Sequence, residues 1–258
     1  VRRQRRSPAP LIDFSLFRIP RFSAGVATAM ATAAALVGIE LILSQRLQLV
    51  LGYSPLQAGL LILPIPAAAF IAGPLAGLAL PKLGADRTLW LSLGVAGLGL
   101  ALYIFSFGGA ASIWLGALAV MGFGIGAAMT AASSTIMMSA PESRAGMAAS
   151  VEEVSYELGG AIGVAMIGSL MSLVYTASLA LPQGLTGDMT VMDSLDEALI
   201  AAELLPAGEA EILAALARSA FDHAYLAVAA MVTFLLLATA LGVWAMTRNQ
   251  AASRTTTT

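Results

Sequence analysis

The stretch Ser112-Ile113-Trp114-Leu115-Gly116-Ala117-Leu118-Ala119-Val120-Met121-Gly122-Phe123-Gly124-Ile125-Gly126-Ala127-Ala128-Met129-Thr130-Ala131-Ala132-Ser133-Ser134-Thr135-Ile136-Met137-Met138 runs for 27 residues without one charged side chain. As a helix rising 1.5 Å per residue it extends about 40 Å, more than the ~30 Å of a bilayer's hydrocarbon core. Five further segments read the same way: Phe22–Leu43, Leu56–Leu80, Thr88–Phe107, Leu158–Leu181 and His223–Thr247. Inside these limits the only side chain certain to be charged at neutral pH is Glu40. The fold class that follows is an all-α membrane protein with six transmembrane helices. Residues 1–21 form a basic linker, 22–181 carry five spans, 182–222 an acidic loop, 223–247 the last span and 248–258 a tail.

Composition agrees. Of 258 residues, 59% are hydrophobic and only 11% charged, with a mean hydropathy of +0.86. An ordinary soluble domain has roughly 25% charged residues, so the charges here are too few to coat a water-exposed surface. A net charge of −2 provides no basic field for nucleic acid. Cysteine is absent and there is one histidine, which excludes disulfides, thiolate or His-cluster metal sites and cysteine nucleophiles. With no Gly-x-Ser-x-Gly elbow either, no catalytic constellation can be assigned, and the expectation is a protein that is not an enzyme and needs no cofactor. The start Val1-Arg2-Arg3-Gln4-Arg5-Arg6 is not a signal peptide and reads as a cut inside a longer protein.

The basic residues set the orientation. Arg2, Arg3, Arg5, Arg6, Arg18, Arg21, Lys82, Arg87, Arg144, Arg248 and Arg254 all fall on one side of the six spans, against Arg46 and Arg218 on the other. Eleven against two predicts that both termini are cytoplasmic. The long loop Pro182–Asp222 is then external and holds eight acids, best read as a solvated polar face. Within it, Ser194 and Glu197 have capping-box spacing. They precede an apolar stripe of Leu195, Ala198, Leu199, Ala202 and Leu205, which predicts a short interfacial or folded-back helix. A second short helix is expected from Gly208 toward the last span.

Small residues crowd the spans: Gly73 and Gly77, Gly94 to Gly99, Gly122 to Gly126, Gly159 to Gly163. Such spacing lets helix backbones approach closely. Pro64, Pro66 and Pro74 fall inside the second span and predict bends there. Tight packing accounts for most of these residues, and the combination also suits helices that rock against one another in a transporter.

The acids near the membrane are the candidate site. Glu152, Glu153 and Glu157 lie at the cytoplasmic start of the fifth span. If that helix begins near Gly146 it runs about 35 residues, or roughly 50 Å. Glu153 and Glu157 share a face with Gly146, Ala149, Gly160 and Val164, whereas Glu152 is rotated by about 100° and is secondary. The competing reading makes all three helix-start glutamates that complement the dipole. Glu40 either snorkels to the outer surface or faces the interior, and the interior is preferred. Carboxylates with almost no cationic company in the membrane suit lipophilic cations. Burial and like charge both favour the protonated form, so one carboxyl that holds either a proton or a cation would couple the two flows.

These residues also carry a family resemblance. Leu47-Gln48-Leu49-Val50-Leu51-Gly52-Tyr53-Ser54-Pro55-Leu56-Gln57-Ala58-Gly59, followed by Leu63-Pro64, resembles the first external loop in the C-terminal half of fourteen-helix drug:proton antiporters. These form the QacA/EmrB-like branch of the major facilitator superfamily. Gly77 through Leu83-Gly84-Ala85-Asp86-Arg87 resembles that superfamily's cytoplasmic loop motif, and Pro10 to Arg18 the lead into the half. Ala145–Gly168, with Val151-Glu152-Glu153 and Tyr156-Glu157-Leu158-Gly159, is the most specific match. The similarity is strongest to exporters of methyl viologen and quaternary ammonium compounds. The resemblance implies a C-terminal half that needs a missing N-terminal half, exports lipophilic cationic drugs against protons, and sits in a bacterial inner membrane. It implies cation-transport roles for Glu153 and Glu157, and a conformational role for Gly77, Asp86 and Arg87. Where some relatives carry an aspartate in the second span this chain reads Ala67-Ala68-Ala69, leaving Glu40 as the candidate to take over part of that role.

The alternative function is a membrane subunit of an ATP-driven permease. It would need a nucleotide-binding partner and cytoplasmic coupling elements. The loops on the basic side are short, and no phosphate-cradling Gly-x-x-x-x-Gly-Lys run exists.

Overall fold

The computed structural model describes residues 14–181 and 193–255, with side chains described as far as Arg248. The arginine run at the N-terminus and Asp188 of the acidic loop lie outside these residues. Eight α-helices are described: α1 Pro20–Gln45, α2 Pro55–Ile62, α3 Pro64–Leu83, α4 Ala85–Phe105, α5 Ala111–Ser139, α6 Ala145–Ser178, α7 Leu195–Glu203 and α8 Ala207–Thr255. Six helical stretches are long and apolar enough to cross a membrane. The ends of α1, α4, α5 and α6 fall within three residues of the predicted spans or extend them outward.

α1 is the hub. It packs on α5, α6 and α8, and its span is the most buried of the six. α4 lies behind, against α5 and α8, while α3 leans on α5 and α6 on α1. α3 and α6 therefore flank the α1–α5 pair on opposite sides, and α3 is the most open of the spans.

Glycine sets the helix spacing at three of these contacts. A Cβ at Gly163 would lie 2.6 Å from Ala34 Cα, and one at Gly159 2.7 Å from Met30 Cα, so α6 meets α1 along a Gly-x-x-x-Gly stripe. The alternating glycines of α5 serve two neighbours at once. Gly122 and Gly126 admit Ile65 and Ala69 of α3, and Gly124 admits Ala96 of α4. Hydroxyls buried in this interior cost little because each turns back to its own helix. Thr28, Thr32, Thr88, Ser92, Thr135, Ser155 and Thr247 all donate to carbonyls three or four residues earlier.

Three local features differ from the sequence reading. The second span is not one bent helix but two, broken at Leu63. Pro64 and Pro66 lack the N–H groups that would bond back to Leu60 and Ile62, while α3 continues through Pro74. The capping box forms at Ser54 and Gln57, with Ser54 N donating to Gln57 Oε1 at 2.9 Å. At Ser194 the backbone is extended but its side chain caps nothing. Finally, no separate helix precedes the last span: α8 starts at Ala207 and is continuous for 49 residues, about 73 Å. α7 folds back onto α8 through buried Leu195, Ala198 and Ala202.

Candidate functional site

α6 touches the bundle along a single stripe: Ala148, Val151, Ser155, Gly159, Gly163, Ile167, Met171 and Tyr175. Everything about the candidate acids follows from their angle to that stripe. Glu153 and Glu157 lie roughly 160° from Ser155 on either side and are exposed, pointing away from the helices of this chain. Glu152 lies about 60° from it and is half-buried. It lines a cavity of about 900 Å³ between α3, α5 and α6. The structure thus brings Glu153 and Glu157 together on an open face and sets Glu152 apart in a cleft between α3, α5 and α6.

Besides Glu152 the cavity is lined by Tyr156, the hydroxyls of Thr130, Ser133 and Ser134, the thioethers of Met129 and Met138, and apolar residues of α3. Among the described residues no basic side chain lines it. Tyr156, which sequence reasoning passed over, donates a hydrogen bond from its hydroxyl to the Met129 carbonyl at 3.1 Å, bridging α6 to α5. Its signal was available: it follows Glu152 by four residues, one helical turn. Gly77 also lines the cavity and has open space where a Cβ would stand.

Glu40 is far from this group. The registers Met30–Gly159 and Ala34–Gly163 place it level with α6 residues near Ser169, about 18 Å along the axis from Glu157. It is half-buried and, among the described residues, forms no hydrogen bond or ion pair. Arg46, its nearest basic neighbour in sequence, is committed elsewhere. Its Nε donates to Asp222 at 2.7 Å and its guanidinium lies 4.2 Å over the Phe107 ring. Tyr225 beside it donates to the Tyr103 hydroxyl at 2.8 Å. This cluster binds α1, α4 and α8 at the end of the bundle opposite the cavity.

At the cavity end the loop motif is drawn together around Gly84, whose φ of 81° allows the one-residue link between α3 and α4. Asp86 pairs with Arg21 at 2.6 Å, joining the starts of α4 and α1, and Arg87 is exposed. The pair is one-armed: Arg21 Nε and Asp86 Oδ1 are buried without partners. Groups of His, Cys, Asp and Glu able to hold a metal are absent among the described residues.

Six helices long and apolar enough to cross a membrane, packed along a small-residue stripe, define a multi-pass membrane protein. The chain belongs to the Major Facilitator Superfamily, whose family profile matches residues 1–164. Among known proteins, the methyl viologen resistance protein SmvA of Salmonella typhimurium is 35% identical over 255 residues, covering 95% of this chain and 50% of that protein. The multidrug efflux pump LfrA of Mycolicibacterium smegmatis is 33% identical over 243 residues, 93% of this chain and 48% of its own. The multidrug resistance protein Stp of Mycobacterium tuberculosis is 34% identical over 176 residues, 68% and 33%. The chain spans about half the length of SmvA and LfrA, and its kinship is with drug-efflux members of the superfamily.

Proposed function

We propose that this chain is the C-terminal half of a drug exporter that drives lipophilic cations, quaternary ammonium compounds among them, out of the cell in exchange for protons. The observation that carries the proposal is the placement of three carboxylates within two turns of α6, one of them, Glu152, in a cavity lined by no basic side chain among the described residues. A cation with a greasy body finds there one carboxylate, hydroxyls, thioethers and apolar walls. Glu153 and Glu157 complete the reading. A carboxylate facing hydrocarbon costs several kcal/mol if charged, so a pair pointing away from this bundle calls for a second body to enclose it. The N-terminal half, packed over the open faces of α3 and α6, would be that body, and the enclosed carboxyls would exchange protons for cations. The basic side, holding both termini, is then cytoplasmic, and the membrane is the bacterial inner membrane.

The test is transport by the whole protein in proteoliposomes. An imposed pH gradient should drive ethidium accumulation, and collapsing the gradient with a protonophore should abolish it. Accumulation that needs ATP and ignores the gradient would overturn the reading in favour of an ATP-driven permease.

A further inference from the structure

α3 and α4 leave a groove between them on the side of α3 away from the cavity. The two helices are joined by one residue, Gly84, yet touch only lightly, while each packs closely on α5. The groove between them has a volume of about 260 Å³. Leu75 and Ala79 of α3 and Leu91 and Val95 of α4 form its walls, and Phe123 and Ala127 of α5 its floor. Thr88 and Ser92 also border it, but their hydroxyls donate back into α4's own turn, to Gly84 and Thr88. From Leu83 at the basic-side end to Ala72 at the other, the groove runs about 16 Å along α3. That is the depth of one leaflet, half of a hydrocarbon core of ~30 Å.

Two cations stand where the groove opens on the basic side. Lys82 is in the last turn of α3, two turns from Leu75 and on the same face, and Arg87 is in the first turn of α4, one turn from Leu91. Both are exposed, and among the described residues neither forms an ion pair, since Asp86 between them is taken by Arg21. At the end of a span such side chains lay their stems along apolar surface and hold their charge at the headgroups. We propose that the groove holds an acyl chain of an anionic phospholipid from the leaflet on the basic side, with the lipid's phosphate between Lys82 and Arg87. Charge complementarity selects this occupant. An apolar slot one leaflet deep that ends at two uncompensated cations matches a lipid with a net negative headgroup. The cavity with Glu152 lies on the other side of α3, along Gly77, Leu80 and Pro81. The lipid therefore competes with nothing bound there, and its site requires only that the chain spans a membrane. Once bound it braces α3, the most open span, against α4.

The test is native mass spectrometry of the whole transporter, delipidated in detergent and titrated separately with phosphatidylglycerol, phosphatidylethanolamine and phosphatidylcholine of the same acyl chains. The wild type should bind its first phosphatidylglycerol about thirtyfold more tightly than either zwitterionic lipid, equivalent to ~2 kcal/mol. Replacing both cations, Lys82→Gln with Arg87→Gln, should erase that preference and leave phosphatidylcholine binding within about twofold of wild type. The exchange Lys82→Arg with Arg87→Lys keeps the charges and should keep the preference. Ala79→Phe fills the groove and should weaken the first phosphatidylglycerol about tenfold or more, since the acyl chain loses its apolar walls. Val95→Phe enters from the opposite wall and gives the same reading if Ala79→Phe fails to fold. Equal binding of the three lipids by the wild type, or a preference that survives the loss of both cations, overturns the proposal. Phosphatidylethanolamine bound as tightly as phosphatidylglycerol overturns the anionic assignment. Phosphatidylglycerol binding untouched by either phenylalanine variant overturns the groove, as it would if another part of the polypeptide filled it.

Discussion

Replacing Asp222 by Asn tests how the helices are held together at the end opposite the cavity. The Arg46 side chain is only 13% exposed and that of Asp222 30%, so the pair lies between surface and interior. Unit charges 4 Å apart attract by about 1 kcal/mol in water and about 4 kcal/mol at an effective dielectric of ~20. Asp222→Asn keeps the shape but leaves a nearly buried guanidinium without its counter-charge, at a cost of about 3 kcal/mol. Arg46→Met retains contact with the Phe107 ring and strands the more exposed partner, costing about 1–2 kcal/mol. Once one charge is gone the other contributes little, so the double variant should cost no more than Asp222→Asn alone, a coupling of about 1–2 kcal/mol. Thermal unfolding of the whole transporter in detergent, followed by circular dichroism, reads this out. A protein about twice this chain's length shifts by roughly half the ~2–4 °C per kcal/mol of a 150–250-residue domain, so Asp222→Asn should melt roughly 3–6 °C low, with the double variant level with it. Strictly additive losses would refute the coupling and leave Arg46 as an aromatic-stacked residue that does not need Asp222.

Gly163→Ala should cost about 1–3 kcal/mol, because its Cβ would stand 2.6 Å from the Ala34 backbone; the same change at Gly168, where the space is open, should leave the melting temperature unmoved. Ser54→Ala removes the N-cap of α2 and should cost about 1 kcal/mol, seen as faster hydrogen exchange confined to Leu56–Ala58. Glu40→Gln should weaken export of dications more than of monocations, since Glu40 sits about 18 Å along the helices from Glu157, where a second charge could reach it. Equal losses in transport assays would remove Glu40 from charge recognition.

The spans were legible because hydrocarbon allows no charge, so the uncharged runs mark them directly. α5 extends Ser112–Met138 by one residue at each end. The start of α8 was hidden by the same criterion. Glu209, Glu211 and Arg218 keep residues 207–222 out of the apolar run and make the helix expected from Gly208 look separate, although Leu213, Ala217, Ala220 and Ala224 form a buried stripe that runs unbroken into the span. Helix formation and membrane crossing are separate conditions, and hydropathy reports only the second. The Ser194 and Ser54 caps teach a related lesson. Both sequences carry a Ser with a Glu or Gln three residues on, and only at Ser54 does the serine side chain turn inward to accept from Gln57 N. For the candidate site, the 100° rotation between Glu152 and Glu153 could be read from spacing alone. Which of the two would line the cavity could not, because that depends on α3 and α5, far away in sequence, supplying its other walls.

Proton counting decides most directly whether the α6 carboxylates exchange protons for cations. Adding a saturating lipophilic cation to the purified whole transporter in weakly buffered solution should release protons measurably with a pH dye. Glu157→Gln should abolish that release while Glu40→Gln retains it. Release from Glu157→Gln equal to that of the wild type would contradict a coupling role for this residue, and undiminished release after all three glutamates of α6 are changed to glutamine would place the exchange outside this helix.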